Sequence, residues 1–311
     1  ETYTFEDNYK STVVRKNHVD FNNPARFSAA VFQHTSSLAA HSTYSLTGSS
    51  IDSGSAQTFE TEIHFPKKSD PDAFAHFPIT FQSASLFGMH TTISGSTGWA
   101  DATEVGLEHL DNSNFQVYAV RDKLGSNDAK FVLTGTAGFK LSTDGAFETE
   151  LFKDVYDNKK WTFAVKVSPE NYPLSNVADR SVHQSNNSYK VEFYGINTAL
   201  DTIENSFSAS TIIPHVDGLA FLTSSKTVYV GAHRTDFTGS ALQESDVKVS
   251  SARYWMSYLT NEEINAHARD TDNFGVIHPY RNAFLFEHGS TGSYVPKIET
   301  LALYWDFAKV T

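Results

Sequence analysis

Four glutamates stand two apart on runs that read as strands. Glu60 and Glu62 lie in Thr58-Phe-Glu-Thr-Glu-Ile-His-Phe65, and Glu148 and Glu150 close Phe147-Glu-Thr-Glu150. Residues at that spacing share one face of a strand. Two carboxylates about 5–5.5 Å apart on one face are the apparatus of a retaining glycosidase. The plainer reading of both pairs is solvent-facing strand positions. The sequence has no Gly-x-Ser-x-Gly elbow, His-Glu-x-x-His or phosphate loop. Its 13 histidines are scattered, with no close pair at metal-ligand spacing, and read as polar surface or satisfied interior. Sugar contact is a different chemistry: an aromatic ring stacks on the apolar face of a pyranose while short polar groups fix its hydroxyls. Trp99 and Asp101, in Gly95-Ser-Thr-Gly-Trp-Ala-Asp101, carry that pattern, with Asn171 and Tyr172 a weaker pair. The plainer reading of Trp99 is a ring that plugs one end of the fold.

The elements that must hold these residues are strands. Phe (24) and Tyr (14) are plentiful among the 311 residues, Met (2) is scarce, and Ser and Thr are abundant, a composition suited to pleated, half-buried surfaces. A net charge of −12 argues against a nucleic-acid footprint and against anionic lipid, and is consistent with a soluble protein. There are no cysteines, which excludes thiolate metal sites and cysteine nucleophiles. No run approaches the roughly 18 apolar residues of a membrane helix, so no membrane insertion is expected.

Phe59, Ile63 and Phe65 alternate on one side of their run, and Thr61 interrupts the row. Lys160-Trp-Thr-Phe-Ala-Val-Lys-Val167 alternates strictly through Trp161, Phe163, Val165 and Val167, with Trp161 and Trp255 read as core. Ile79–Phe81, Ser85–Met89, Val105–Leu107, Phe115–Val120, Lys130–Leu133 and Tyr189–Gly195 read as further strands, and Ala220–Leu222 as a short one. Residues 168–188 form a long polar excursion. Thr260-Asn-Glu-Glu263 is a capping box opening a short helix that should end near Arg269 or Asp270. Many short alternating strands with one late helix give an all-β antiparallel sandwich.

The order of the last elements resembles a known module. Lys226-Thr-Val-Tyr-Val-Gly231 and Phe237-Thr-Gly239 precede Val247–Trp255 and the helix Leu259-Thr-Asn-Glu-Glu-Ile264. Together with Thr58–Phe65, Trp161–Val165 and Val191-Glu-Phe-Tyr-Gly195, they resemble the laminin-G-like jelly roll of the concanavalin A-like lectin/glucanase superfamily, over roughly residues 28–270. The resemblance implies a two-sheet jelly roll across residues 27–272, flanked by an arm (1–26) and a C-terminal extension (273–311). The Glu-x-Asp-x-x-Glu strand of the glucanase relatives is missing, so the expected module is not an enzyme. No cofactor is expected beyond structural Ca²⁺, which such modules often bind. Its local candidates are Asp70 with Asp72, Asp101 with Glu104, and Asp154 with Asp157. Ser250-Ser251 stands where the family often has an aspartate.

Asn282–Phe286 through Pro296–Phe307 is similar to segments that follow such modules in tailed-phage virion proteins. The chain opens at Glu1 without Met and closes in a strand-like run, so it reads as a piece of a longer polypeptide. The expectation is a non-catalytic structural or adhesion module of a virion, partnered by other protein subunits and by glycans. The alternatives are a lectin or adhesin domain at a cell surface or in secreted form, and, less favoured, a glycoside hydrolase or lyase.

Overall fold

The computed structural model describes residues 19–20, 30–33, 56–67, 81–91, 115–135, 146–170, 188–199, 202–215, 217–218, 221, 226–231, 233–234, 241–243, 245–270, 273, 284–286, 294–296 and 300–307. In chain order the elements are β1 (Val19–Asp20), β2 (Ala30–Gln33), β3 (Gln57–Phe65), β4 (Ser83–Thr91), β5 (Phe115–Arg121) and β6 (Ala129–Gly135). Then come β7 (Ala146–Glu148), β8 (Lys159–Pro169), β9 (Tyr189–Ala199), β10 (Thr202–Ile213), β11 (Lys226–Val230), β12 (His233–Arg234) and β13 (Ala241–Gln243). The last are β14 (Lys248–Trp255), helix α1 (Asn261–Arg269), β15 (Phe284–Phe286), β16 (Tyr294–Pro296) and β17 (Leu301–Trp305).

The fold is an all-β antiparallel sandwich. One sheet has seven strands in the order β1-β14-β3-β8-β9-β10, with β17 also paired to β14, and the other has six in the order β2-β11-β4-β5-β6-β7. The tail read from sequence as lying beyond the module returns to it: Leu303 pairs with Tyr254 and Tyr304 with Arg253. Val19, in the stretch read as an arm or edge strand, pairs with Val249 at the other end of the same β14 edge.

Aromatic rings from both sheets fill the space between them. Phe131 of β6 meets Phe163 and Trp161 of β8 at 4.7 and 4.8 Å between ring centroids, and Phe193 of β9 meets Phe207 of β10 at 4.8 Å. Such pairs add roughly 0.5–1.5 kcal/mol to the burial of each ring. The close approach of Phe207 requires Gly195, its partner across the ladder, because a Cβ there would sit 2.2 Å from the Phe207 ring. Thr61 interrupts the apolar row of β3 for a local reason. The β14 register shifts between Val249 and Ser251, and the Thr61 hydroxyl donates to the Ser251 carbonyl at 2.8 Å.

Among the described residues β10 is the longest strand, and the sequence reading missed it. Its inward row of Phe207, Ala209, Thr211 and Ile213 alternates with Ser206, Ser208, Ser210 and Ile212. Phe221, expected in a short strand, is instead helical. Ile79 and Val105–Leu107 lie outside the described residues.

Helix α1 starts where its capping box requires. The Glu263 N–H donates to Thr260 Oγ1 at 3.2 Å, and the Thr260 N–H donates to Glu263 Oε2 at 2.8 Å. The helix buries Ile264, His267 and Ala268. They pack with Trp255, Ala164, Tyr194 and Ile196 on the outward face of the seven-stranded sheet.

Candidate functional site

Among the described residues, a cluster of charged and polar groups lies between α1 and that outward face. The paired registers of β14, β3, β8 and β9 put Arg253, Glu60, Ala164 and Tyr194 in one row, and Ser251, Glu62, Thr162 and Ile196 in the next. Glu60 and Glu62 therefore share a face, as their spacing requires. They are not solvent-facing as the sequence implied: Glu60 is 3% and Glu62 8% exposed, because α1 lies over them. Glu148 and Glu150, by contrast, are exposed as expected.

Glu60 is coordinated on both oxygens. The Arg253 Nη1 and Trp255 Nε1 donate to its Oε1 at 3.3 and 3.1 Å, and the His267 Nδ1 lies 3.0 Å from Oε1 and 2.9 Å from Oε2. An ionised carboxylate only accepts, so the Nδ1 must carry the proton. The His267 ring also stacks on Trp255, with centroids 5.6 Å apart. Burial works against ionisation of Glu60. His267, Arg253 and the Trp255 N–H outweigh it and bring the carboxyl down from its ordinary 4.5 to about 2.

Glu62 pairs with the Lys160 Nζ at 3.1 Å, and the same ammonium donates to the Ala268 carbonyl in the last turn of α1 at 3.0 Å. Cations are favoured at that end of a helix. Further along the seam, the Lys166 Nζ donates to Asn261 Oδ1 at 2.5 Å and lies 4.9 Å from the Tyr258 ring centroid. Burial lowers the Lys166 ammonium to about 8, partly offset by Glu192. The Tyr194 hydroxyl donates to Asn265 and the Tyr258 hydroxyl to Glu192, each at 2.6 Å.

This arrangement fastens a helix. A carboxyl held near 2 is ionised at neutral pH and is a poor proton donor. Glu60, Glu62, Arg253 and His267 line a hollow with room for about one water molecule, far smaller than a sugar ring.

A separate buried ion pair sits within the sandwich. Arg121 Nη2 meets Asp246 Oδ2 at 2.8 Å with both side chains 1% exposed, and the guanidinium lies 3.4 Å over the Tyr156 ring. The Tyr156 hydroxyl donates to Asp246 at 3.2 Å, and burial followed by the Asp246 charge pushes that phenol well up. On the outward face of the six-stranded sheet, the half-buried Tyr118 donates its hydroxyl to Gln116, and burial raises the phenol to about 12.

Two of the residues read from sequence as site candidates lie in a described loop. Asp154 is exposed, has a left-handed backbone (φ 53°), and donates its N–H to Asp128 Oδ1 at 2.9 Å. Asp157 pairs with Lys67 at 2.8 Å. The Lys153 ammonium, then the Asp154 N–H, lowers the Asp128 carboxyl. Among the described residues no three His, Asp or Glu side chains are grouped to hold a metal ion. Trp99, Asp101, Glu104, Asp70, Asp72, Asn171 and Tyr172 lie outside the described residues.

The sequence reading missed the Glu60 cluster. Its available signal was a histidine on the buried stripe of α1, three residues after Ile264 and next to Ala268.

No protein-family model matches the sequence, and no curated protein does. Solved structures match in outline. A tailspike protein 2 enzymatically active domain from bacteriophage CBA120 matches at 9% identity and a TM-score of 0.43, over 94% of this chain and 35% of that one. An alginate lyase from Pseudomonas aeruginosa matches at 10% and 0.34, over 77% and 81%, and mouse laminin alpha1 domains LG4-5 at 11% and 0.27, over 73% and 40%. The chain thus spans about a third of the tailspike domain's length. At these identities the likeness is one of sandwich outline alone.

Proposed function

We propose that this chain is a non-catalytic structural or adhesion module of a larger assembly, a virion being the setting, which works through contact surfaces that include glycan contact by loop residues. The observation that supports it most is the state of Glu60. It shares a strand face with a second carboxylate, yet His267, Arg253 and Trp255 occupy its oxygens beneath a helix. Among the described residues, these polar groups are spent on holding α1. In this reading Trp99, Asp101, Asn171 and Tyr172 are the sugar contacts, other protein subunits are the partners, and no cofactor is used.

Three measurements test the reading. Saturable binding on a glycan array, abolished in Trp99→Ala with the melting temperature unchanged, supports glycan contact. Release of reducing ends or unsaturated uronates from a polysaccharide panel including alginate overturns the non-catalytic assignment. For calcium, a melting temperature that is the same in Ca²⁺ and in chelator is expected, and a rise with Ca²⁺ returns the Asp154 and Asp157 loop to consideration.

A further inference from the structure

β10 forms one edge of the seven-stranded sheet, and among the described residues it pairs on one side only, with β9. It is 12 residues long, about 40 Å of extended chain. Natural edge strands are blunted by lysine, proline, shortness or inward charges. β10 (Thr-Ile-Glu-Asn-Ser-Phe-Ser-Ala-Ser-Thr-Ile-Ile) has neither lysine nor proline. Its single charge, Glu204, falls in the bulge between Ile203 and Asn205 and is paired with Lys159 at 3.2 Å. Two of the large apolar side chains most open to solvent among the described residues, Ile203 (38% exposed) and Ile212 (46%), are on this strand.

The positions of those two residues are symmetric. Ser208 pairs with Tyr194, Ser206 with Ile196 and Ser210 with Glu192, while Ile203 pairs with Thr198 and Ile212 with Lys190. Because Glu204 is the extra residue of the bulge, Ser206 and Ser210 stand two ladder positions either side of Ser208, and Ile203 and Ile212 stand four. All five share the outward face of the sheet.

We infer that β10 is a self-docking edge: a second copy of this chain pairs with it antiparallel about a two-fold axis through Ser208, joining two seven-stranded sheets. An isologous contact requires that if residue i meets j, then j meets i. The pattern above satisfies this. Ile203 meets the partner's Ile212 on each side of the axis, Ser206 meets the partner's Ser210, and no like charges oppose. On the inward face Phe207 meets the partner's Ala209. The edge amides and carbonyls supply the ladder, and the two isoleucine pairs cover each other. The inference names a partner for the assembly role proposed above and rests on it only in that respect. The glycan test reads Trp99→Ala and the register test reads substitutions in β10, so either can fail without the other.

The 311-residue chain contains no cysteine, so single cysteines report the register directly. Sedimentation equilibrium of the wild type should give twice the chain mass. Ser208→Lys sets two ammonium groups opposite each other at the axis and should weaken the dimer by about tenfold or more, with circular dichroism and melting temperature unchanged. Under mild oxidation Ser208→Cys should cross-link to itself. Ser206→Cys alone should not, its mate being roughly 13 Å away, yet it should cross-link with Ser210→Cys when the two are mixed. A wild type that stays monomeric, an assembly of any other stoichiometry, a dimer indifferent to Ser208→Lys, or equal self-cross-linking of Ser206→Cys and Ser208→Cys overturns the inference.

Discussion

β3 and β5 are both strands of alternating sequence, one in each sheet, and they end in different environments. Along β5 burial alternates with the side chains: Phe115, Val117 and Ala119 are enclosed while Gln116, Tyr118 and Val120 are half open. Along β3 every residue from Gln57 to Phe65 is buried, including Glu60, Glu62 and His64. The difference is α1, which with its neighbours covers the outward face of β3 and β8. Alternation in a sequence therefore reveals which residues face the core, and is silent on whether the other face is covered. A charged residue under such a cover must be paired, because an unpaired buried charge costs several kcal/mol. Glu60 with Arg253 and His267, and Glu62 with Lys160, meet that demand.

The contrast can be broken most strongly at Glu60. Glu60→Ala leaves Arg253 and His267 buried without their carboxylate, and about 3–5 kcal/mol of unfolding free energy should be lost in a urea titration. The same group sets a pH dependence. Its folded-state pKa lies below the ordinary value, so its stabilisation is fully present above pH 4.5 and fades as pH falls towards about 2. The loss amounts to about 3 kcal/mol. Urea midpoints measured across that window should fall in the wild type and flatten in Glu60→Gln.

Smaller effects should follow the same map. Gly195→Ala drives a methyl into Phe207 and should cost about 1–3 kcal/mol, read as a lower melting temperature. Thr260→Ala removes the cap of α1, with an expected loss of about 1 kcal/mol by the same titration. Lys130→Ala, which breaks the open pair with Glu148 across β6 and β7, should change stability by no more than about 0.5 kcal/mol.

Local chemistry was legible where it was decided locally. The strict alternation of Trp161 to Val167 produced β8, and Thr260 with Glu263 produced the helix start as read. β10 was not legible in the same way. Ser206, Ser208 and Ser210 resemble loop residues, and only the row from Phe207 to Ile213 carried the two-residue period. The cover over Glu60 was less legible still. Its partners lie 193 to 207 residues away in the chain, and no pattern within β3 points to them. The return of β17 to the sheet has the same cause, since pairing with β14 is a property of the assembled sandwich.

Native-state hydrogen exchange on Glu60→Gln tests the fastening role most directly. If the buried carboxylate holds α1 to the sheet, amides of Asn261–Arg269 should lose far more protection than those of Phe115–Arg121 in β5. Equal loss in both places, or an α1 as protected as in the wild type, would contradict that role.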